Sequence, residues 1–148
     1  MAIQMVIKLR KLTRKDWDFV LKLRNRREYR DFFYHQNPIS KSEHYNYMKK
    51  QQNNSNYVCW IITYNDEDVG FIRILDNDIS IAIEKKYHGK GIGSKTIKLV
   101  EKEAKKLGIK RLVGRVMIQN EISKKIFLKN NYQLKMYWYE KEISKVKD

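Results

Sequence analysis

Tyr87-His88-Gly89-Lys90-Gly91-Ile92-Gly93-Ser94 is the stretch on which the reading of this chain turns. Three of the protein's six glycines fall at alternate positions within it. It follows an apolar run, Ile79-Ser80-Ile81-Ala82-Ile83, and precedes a long amphipathic one. Glycine tolerates left-handed backbone and lets the chain approach a ligand closely. A turn that opens a helix also gathers unpaired N–H groups and the positive end of the helix dipole at one point. Together these features predict a cradle for phosphate.

Working outward, Ile92, Ile97, Val100, Ala104 and Leu107 mark one helical face downstream, with Lys95, Lys98, Lys102, Lys105 and Lys106 on the other. Gly108 stands where a helix stops. Residues 111–118 read as a strand, 123–130 as a short helix, and 132–143 as further strand. Upstream, residues 57–63 are dense in β-branched and aromatic side chains and predict a central strand. The turns 65–68 and 76–78 make 57–83 a three-stranded meander. Before it come a strand at 6–12 and two helices. Thr13 with Asp16, and Ser40 with Glu43, are capping-box pairs at their starts, and the first helix is expected to reach about Arg27. Residues 31–38 are aromatic and irregular.

Three phosphate-binding patterns compete for the glycine stretch. A dinucleotide fingerprint needs Gly-x-Gly-x-x-Gly, but the third glycine would fall at Thr96 counted from Gly91, or at Ser94 counted from Gly89. A Walker A loop fits Gly89 with Lys95-Thr96, except that Ser94 replaces its second glycine. Its magnesium-binding acid is also missing from the end of the later strand, Met117-Ile118-Gln119-Asn120. The third pattern, [Arg/Gln]-x-x-Gly-x-[Gly/Ala], resembles the coenzyme-A-binding motif of the GNAT N-acetyltransferases, with His88 at its first position. Downstream, Asn120, Ser123, Ile126, Phe127, Lys129, Asn131 and Tyr132 resemble that family's second motif in order and spacing. The resemblance covers essentially the whole chain and is strongest over residues 79–132.

It implies a single α+β domain over residues 1–148, with a central mixed, mostly antiparallel sheet of about six to seven strands. Four helices and a splay between strands four and five complete the expected fold. It also implies that acetyl-CoA lies in that splay. The backbone of His88, Gly89, Lys90, Gly91, Ile92, Gly93 and Ser94 would hold its pyrophosphate. Ile81 and Ile83 would pair with the pantetheine arm like an added strand, with Asn120, Ser123 and Phe127 on the far side. Asp78 occupies the place where relatives carry a general base, with Glu84 as second candidate. Phe127 replaces the usual tyrosine that donates to the departing thiolate, so Tyr132, Tyr137, Tyr139 or water would have to serve. Tyr132 is the residue assigned.

For the acceptor, Leu23-Arg24-Asn25, the aromatic patch and Ser40-x-x-Glu43-His44-x-x-Tyr47 resemble the subgroup acting on ribosomal-protein amino termini or nucleotide-linked amino sugars. Arg24, Asn25, Phe32, His44 and Tyr47 are the expected acceptor-pocket residues. The alternative acceptor is a protein or peptide amine.

Bulk properties agree with this reading without demanding it. A chain of 148 residues, 42% hydrophobic, is long enough for one core. The lone Cys59 excludes an internal disulfide framework, and with three scattered histidines no metal pattern appears. No apolar run approaches membrane-spanning length, and a cytoplasmic setting is expected. The formal charge of +15 invites a polyanion partner. Its lysines are spread rather than clustered, which argues against a nucleic-acid-binding module. A fold that binds coenzyme A without catalysing is the other reading that Phe127 allows. The partners implied are acetyl-CoA and an amine, and the resemblance admits a homodimer.

Overall fold

The computed structural model describes residues 4–26 and 37–143. Phe32, one of the expected acceptor residues, lies outside them. Strands β1 (Ile7–Lys11), β2 (Tyr57–Tyr64), β3 (Glu67–Leu75) and β4 (Asp78–Ile83) form an antiparallel run, and β5 (Val113–Gly114) adds in parallel to β4. Helix α1 (Trp17–Arg24) follows a single 3-10 turn, and α2 (Lys41–Gln52) precedes the meander. Helix α3 (Ile92–Lys106) crosses over to β5, and α4 (Glu121–Lys129) follows it.

Local chemistry explains these boundaries. The meander turns at Asn65-Asp66 and Asp76-Asn77, where both residues of each pair have positive φ. Asn and Asp tolerate that conformation, and such two-residue turns match the twist of a hairpin. Ser40 caps α2 by accepting from the Glu43 N–H at 3.1 Å. At the first turn, the Asp16 carboxylate accepts from the Thr13 N–H at 2.8 Å and holds Arg10 through both oxygens, while Arg10 also reaches Asp68. This ion-paired cluster pins the start of α1 to β1 and β3.

Alternation along β2 produces two cores. Trp60 and Ile62 face Ile97, Val100 and Ala104 of α3, while Cys59 and Ile61 face Val20 and Leu23 of α1. A strand covered on both faces is apolar throughout, which accounts for the unbroken run in β2.

The structure corrects the expected sheet. Among the described residues it has five strands, not six or seven. Strand β5 spans two residues rather than 111–118, and residues 132–143 join no ladder. Their alternation confers strand propensity, but propensity becomes a strand only where an edge is there to pair with. Helix α1 ends at Arg24, three residues short of the expected position. Helix α4 starts earlier than expected because Asn120 caps it, accepting from the Ser123 N–H at 3.1 Å.

Candidate active site

The glycine stretch lies between β4 and α3 and leaves a row of free donors. A 3-10 turn, Lys85–Tyr87, closes with the Tyr87 and His88 N–H groups bonded back to Glu84 and Lys85. The next intrahelical bond runs from the Lys95 N–H to the Gly91 carbonyl at 3.2 Å. Among the described residues, no backbone N–H from 89 to 94 donates to another backbone group. Gly89 and Gly91 have φ of 76° and 78°, left-handed geometry that a side chain would strain. A Cβ at either would meet nothing within 4 Å, so this face of the loop is open.

Two side chains hold the loop in place. The imidazole of His88 donates from Nε2 to the Ile83 carbonyl at 2.8 Å, folding the loop back onto the end of β4. This fixes its Nε2–H tautomer and gives the residue at the motif's first position a structural task. The Ser94 hydroxyl accepts from the Asn130 amide at 3.1 Å, tying the first turn of α3 to the end of α4. Asn130 is buried, and sequence reading missed it because an Asn-Asn pair at a helix end looks like an ordinary stop. Lys90 swings aside, with its ammonium about 6 Å from the rings of Tyr64 and Tyr87.

Register determines where the backbone of β4 points. The Glu84 N–H donates to the Val69 carbonyl, and the β3–β4 pairing keeps one register throughout. In an antiparallel ladder hydrogen-bonded pairs alternate, so residues 78, 80 and 82 bond to β3, while Ile79, Ile81 and Ile83 turn their polar groups toward β5. Strand β5 pairs with Asp78 and Ile79 only. The outward groups of Ile81 and the N–H of Ile83 therefore line a gap that opens beyond Gly114 and leads to the glycine loop.

Helix α4 covers that gap. A Cβ on Gly114 would run into the ring of Phe127, so the ring lies directly over the β5 backbone. Ile126 of the same helix and Ile83 of β4 both approach Gly93. Tyr132 packs edge-on against Phe127, with centroids 5.0 Å apart. Its buried hydroxyl makes no hydrogen bond, and burial first, then the charge of Glu101 on α3, push its pKa upward. The side-chain oxygen of Asn120 is spent on its cap, which leaves its N–H groups to reach elsewhere.

Asp78 begins β4 beside the β5 pairing, at the closed end of the gap. Its Oδ2 accepts from Arg73 at 3.2 Å, and Arg73 also donates to the Asp78 carbonyl at 2.9 Å. Its Oδ1 is buried without a hydrogen bond, and Arg115 Nε stands 3.6 Å away. The two-residue turn at 76–77 makes this arginine readable in retrospect, because it pairs Leu75 with Asp78 and sets Arg73 on the diagonal. Glu84 sits at the other end of β4.

The expected acceptor residues are largely committed to structure. His44 is fully buried and donates from Nε2 to the Trp17 carbonyl at 2.8 Å, leaving Nδ1 to accept from Arg24 at 3.4 Å. Burial, reinforced by Arg24, lowers its pKa and keeps it neutral. Arg24 also lies over the ring of Tyr47 at 5.1 Å. Asn25 bonds to both backbone groups of Ile39, at 2.7 and 2.8 Å. The four described residues thus lock α1 to α2 and its approach, with only half-buried Arg24, Asn25 and Tyr47 presenting surface. Cys59 is no nucleophile, since burial pushes its thiol up to about 12. Among the described residues no helix is long and apolar enough to cross a membrane.

Comparison with known proteins converges on one family. The acetyltransferase (GNAT) domain profile matches residues 7–133. A domain from Methanocaldococcus jannaschii DSM 2661 is 29% identical, with a TM-score of 0.79 covering 88% of this chain and 90% of the other. The fold is also that of spermidine N-acetyltransferase from Vibrio cholerae, solved with CoA and spermine, at 16% identity and a TM-score of 0.75. That match covers 83% of this chain and 78% of the other. An N-acetyltransferase from Staphylococcus aureus Mu50 aligns at 23% identity and 0.71, over 85% and 82% of the two chains. With the loop, the strand gap and the profile in agreement, this chain belongs to the GNAT family and is an acetyl-CoA-dependent N-acetyltransferase.

Proposed function

We propose that the acceptor is a primary amine on an anionic scaffold, an amino-sugar nucleotide being the best-fitting class, and that Asp78 takes the amine's proton. The observation that carries the donor half is continuity. Free N–H groups from Gly89 to Ser94 run directly into the unpaired edge of Ile83 and Ile81, forming one lined track from a helix N-terminus to Asp78. When bound, acetyl-CoA supplies an activated acetyl thioester. The backbone from His88 to Ser94 would grip its diphosphate through dipoles and close approach. The edge of Ile81 and Ile83 would orient the arm, with Asn120 and Ser123 opposite, and Phe127 would keep water from the gap. His88 already holds the Ile83 carbonyl, so the remaining strand-like contacts fall to the Ile81 N–H and C=O and the Ile83 N–H.

At the reacting end, the free lone pairs of Asp78 Oδ1 are the acceptor for an amine proton, directly or through water. Arg73 and Arg115 hold that carboxylate in place. Phe127 cannot donate a proton, which leaves the hydroxyl of Tyr132, packed edge-on beside that ring and without a hydrogen-bond partner of its own, as the proposed donor. The departing thiolate would take that proton, and Tyr132 would regain one from solvent once the products leave.

The chain's charge supports an anionic acceptor. A field from +15 formal charges attracts a nucleotide diphosphate and repels a polyamine. Arg24, Asn25, Phe32, His44 and Tyr47 remain the proposed acceptor side, with His44 acting through Arg24. Thiol release measured with a nucleotide-linked amino sugar, a peptide amine and spermidine tests this reading. The expected result is the highest kcat/KM for the sugar nucleotide, falling as salt is raised. Equal or faster turnover of spermidine would overturn the anionic acceptor, and a peptide preferred at all ionic strengths would replace it with a protein amine.

A further inference from the structure

On the side away from the acetyl-CoA track the sheet ends at β1, which is paired with β2 alone. The Asn65 N–H donates to the Val6 carbonyl at 2.8 Å and the Leu12 N–H to the Cys59 carbonyl at 3.1 Å, with one constant register between them. Hydrogen-bonded pairs alternate in such a ladder, so Val6, Lys8 and Arg10 face β2 while Ile7 and Leu9 turn their N–H and C=O groups outward. Among the described residues no other strand takes up those groups.

Helix α3 runs beside this edge. Two hollows of about 340 and 320 Å³ lie between helix and strand, and Ile7 and Leu99 line both. Lys95 and Lys98 wall the first, Lys102 and Lys106 the second. Lys106 is bridged to Glu103 at 3.1 Å. Lys95, Lys98 and Lys102 are exposed and, among the described residues, have no carboxylate partner. Lysines that are spread along the sequence are thus gathered by the helix into one wall of a groove with an apolar floor.

We propose that this groove docks an extended acidic segment of a partner protein, which adds to the free edge of β1 and sets alternate carboxylates against Lys95, Lys98 and Lys102. Strand addition draws affinity from main-chain hydrogen bonds and specificity from alternate side chains. Side chains on one face of a strand recur about every 6.8 Å and helical turns about every 5.4 Å, a mismatch that long lysine side chains absorb. Lysines beside an open edge discourage neutral and basic strands, and the same charge selects an acidic one. A nucleic acid would use the lysines but not the outward donors and acceptors of Ile7 and Leu9, whose alternation matches a peptide backbone. A second copy of this edge would set lysine against lysine. None of these residues belongs to the acetyl-CoA track or to the proposed acceptor side, so the docking surface stands apart from the reaction.

Fluorescence anisotropy with a short labelled peptide alternating glutamate and valine tests the proposal on the full chain. The peptide should bind, more weakly as salt is raised, and a lysine–valine counterpart should not. The double substitution Lys98→Glu with Lys102→Glu should lower the affinity roughly tenfold or more by setting like charges together. Both side chains are exposed, so circular dichroism and acetyl-CoA affinity should stay as in wild type. Methylating the backbone nitrogens of every glutamate, or of every valine, gives two probes of equal charge. Only one set of nitrogens can face β1, so one probe should lose binding and the other keep it. No binding of the unmethylated peptide, an affinity that the double substitution leaves intact, or methylated probes that bind alike would each overturn the proposal. An oligouridylate of similar length bound more tightly would also overturn it, by assigning the groove to nucleic acid.

Discussion

Replacing Gly114 with alanine is a single-methyl test of how α4 closes the gap beside β4. The new Cβ would stand 2.5 and 2.8 Å from Cε1 and Cε2 of Phe127, with the ring tip nearer still. Carbon atoms rest about 3.5–4.0 Å apart, so the ring must retreat by roughly 1 Å. Its exits are limited by Tyr132, 5.0 Å away edge-on, but Phe127 is only half-buried and can tilt toward solvent. That places the cost within the usual range for an overpacked site, about 1–3 kcal/mol. For a domain of this size each kcal/mol moves the melting point by roughly 2–4 °C, so a central value near 2 kcal/mol predicts a fall of about 4–8 °C. Thermal unfolding followed by circular dichroism measures it. Phe127→Leu, which removes the ring atoms that collide, should relieve most of the penalty when combined with Gly114→Ala. The coupling in that cycle should exceed about 1 kcal/mol, as expected for directly touching groups. A Gly114→Ala protein that melts with wild type, or two substitutions that simply add, would refute the placement of Phe127 over β5.

Other consequences can be checked separately. Gly91→Asn accepts the left-handed φ with modest strain, whereas Gly91→Asp adds a charge to the loop. Both should lose similar stability, about 1 kcal/mol, while only Asp abolishes acetyl-CoA binding by calorimetry. Equal affinities in the pair would mean the anion sits elsewhere. Asp78→Asn should lower kcat/KM by roughly a hundredfold or more, with the affinity for acetyl-CoA retained, and Glu84→Gln should leave both unchanged. The reverse order would move the base to the loop end of β4. Acid sensitivity should come in two stages. His44 has a lowered pKa, so the unfolded chain takes up a proton near 6.5 that the folded chain refuses, and stability falls as pH drops through that value. Asp16 is held below its ordinary 3.8 mainly by Arg10, so its contribution is present above that pH and is lost as pH falls below it. Urea midpoints against pH should therefore lose their slope around pH 6 in His44→Leu; an unchanged slope there would clear His44 of the role.

The donor side was legible because it is made of backbone. Alternate glycines at a strand–helix junction force left-handed turns and free N–H groups whatever surrounds them, and Gly89 and Gly91 adopt that geometry. The meander could be read for the same reason, since Asn-Asp and Asp-Asn turns set register locally. Side-chain partnerships were not legible, because they depend on which elements meet. His44 and Asn25 stand out in sequence by residue type, but nothing there tells that one braces the Trp17 carbonyl and the other clasps Ile39. Arg115 and Asn130 had no marking in a chain with so many basic and amide residues, and only the fold brings them to Asp78 and Ser94.

The stretch after Tyr132 fails in a different and more informative way. Its alternation is as regular as that of β4, and the expectation of a strand there was sound as a statement about backbone preference. A strand, however, is a relation between two segments, and sequence periodicity specifies only one of them. Within the chain, β5 is cut to two residues, with Phe127 lying across Gly114, and the segment goes unpaired. The same ring that roofs the gap beside β4 thus stands at the edge where residues 133–143 would join. The Phe127→Leu protein should therefore bind acetyl-CoA more weakly by calorimetry, and an affinity equal to wild type would mean that the ring does not line the cofactor's gap.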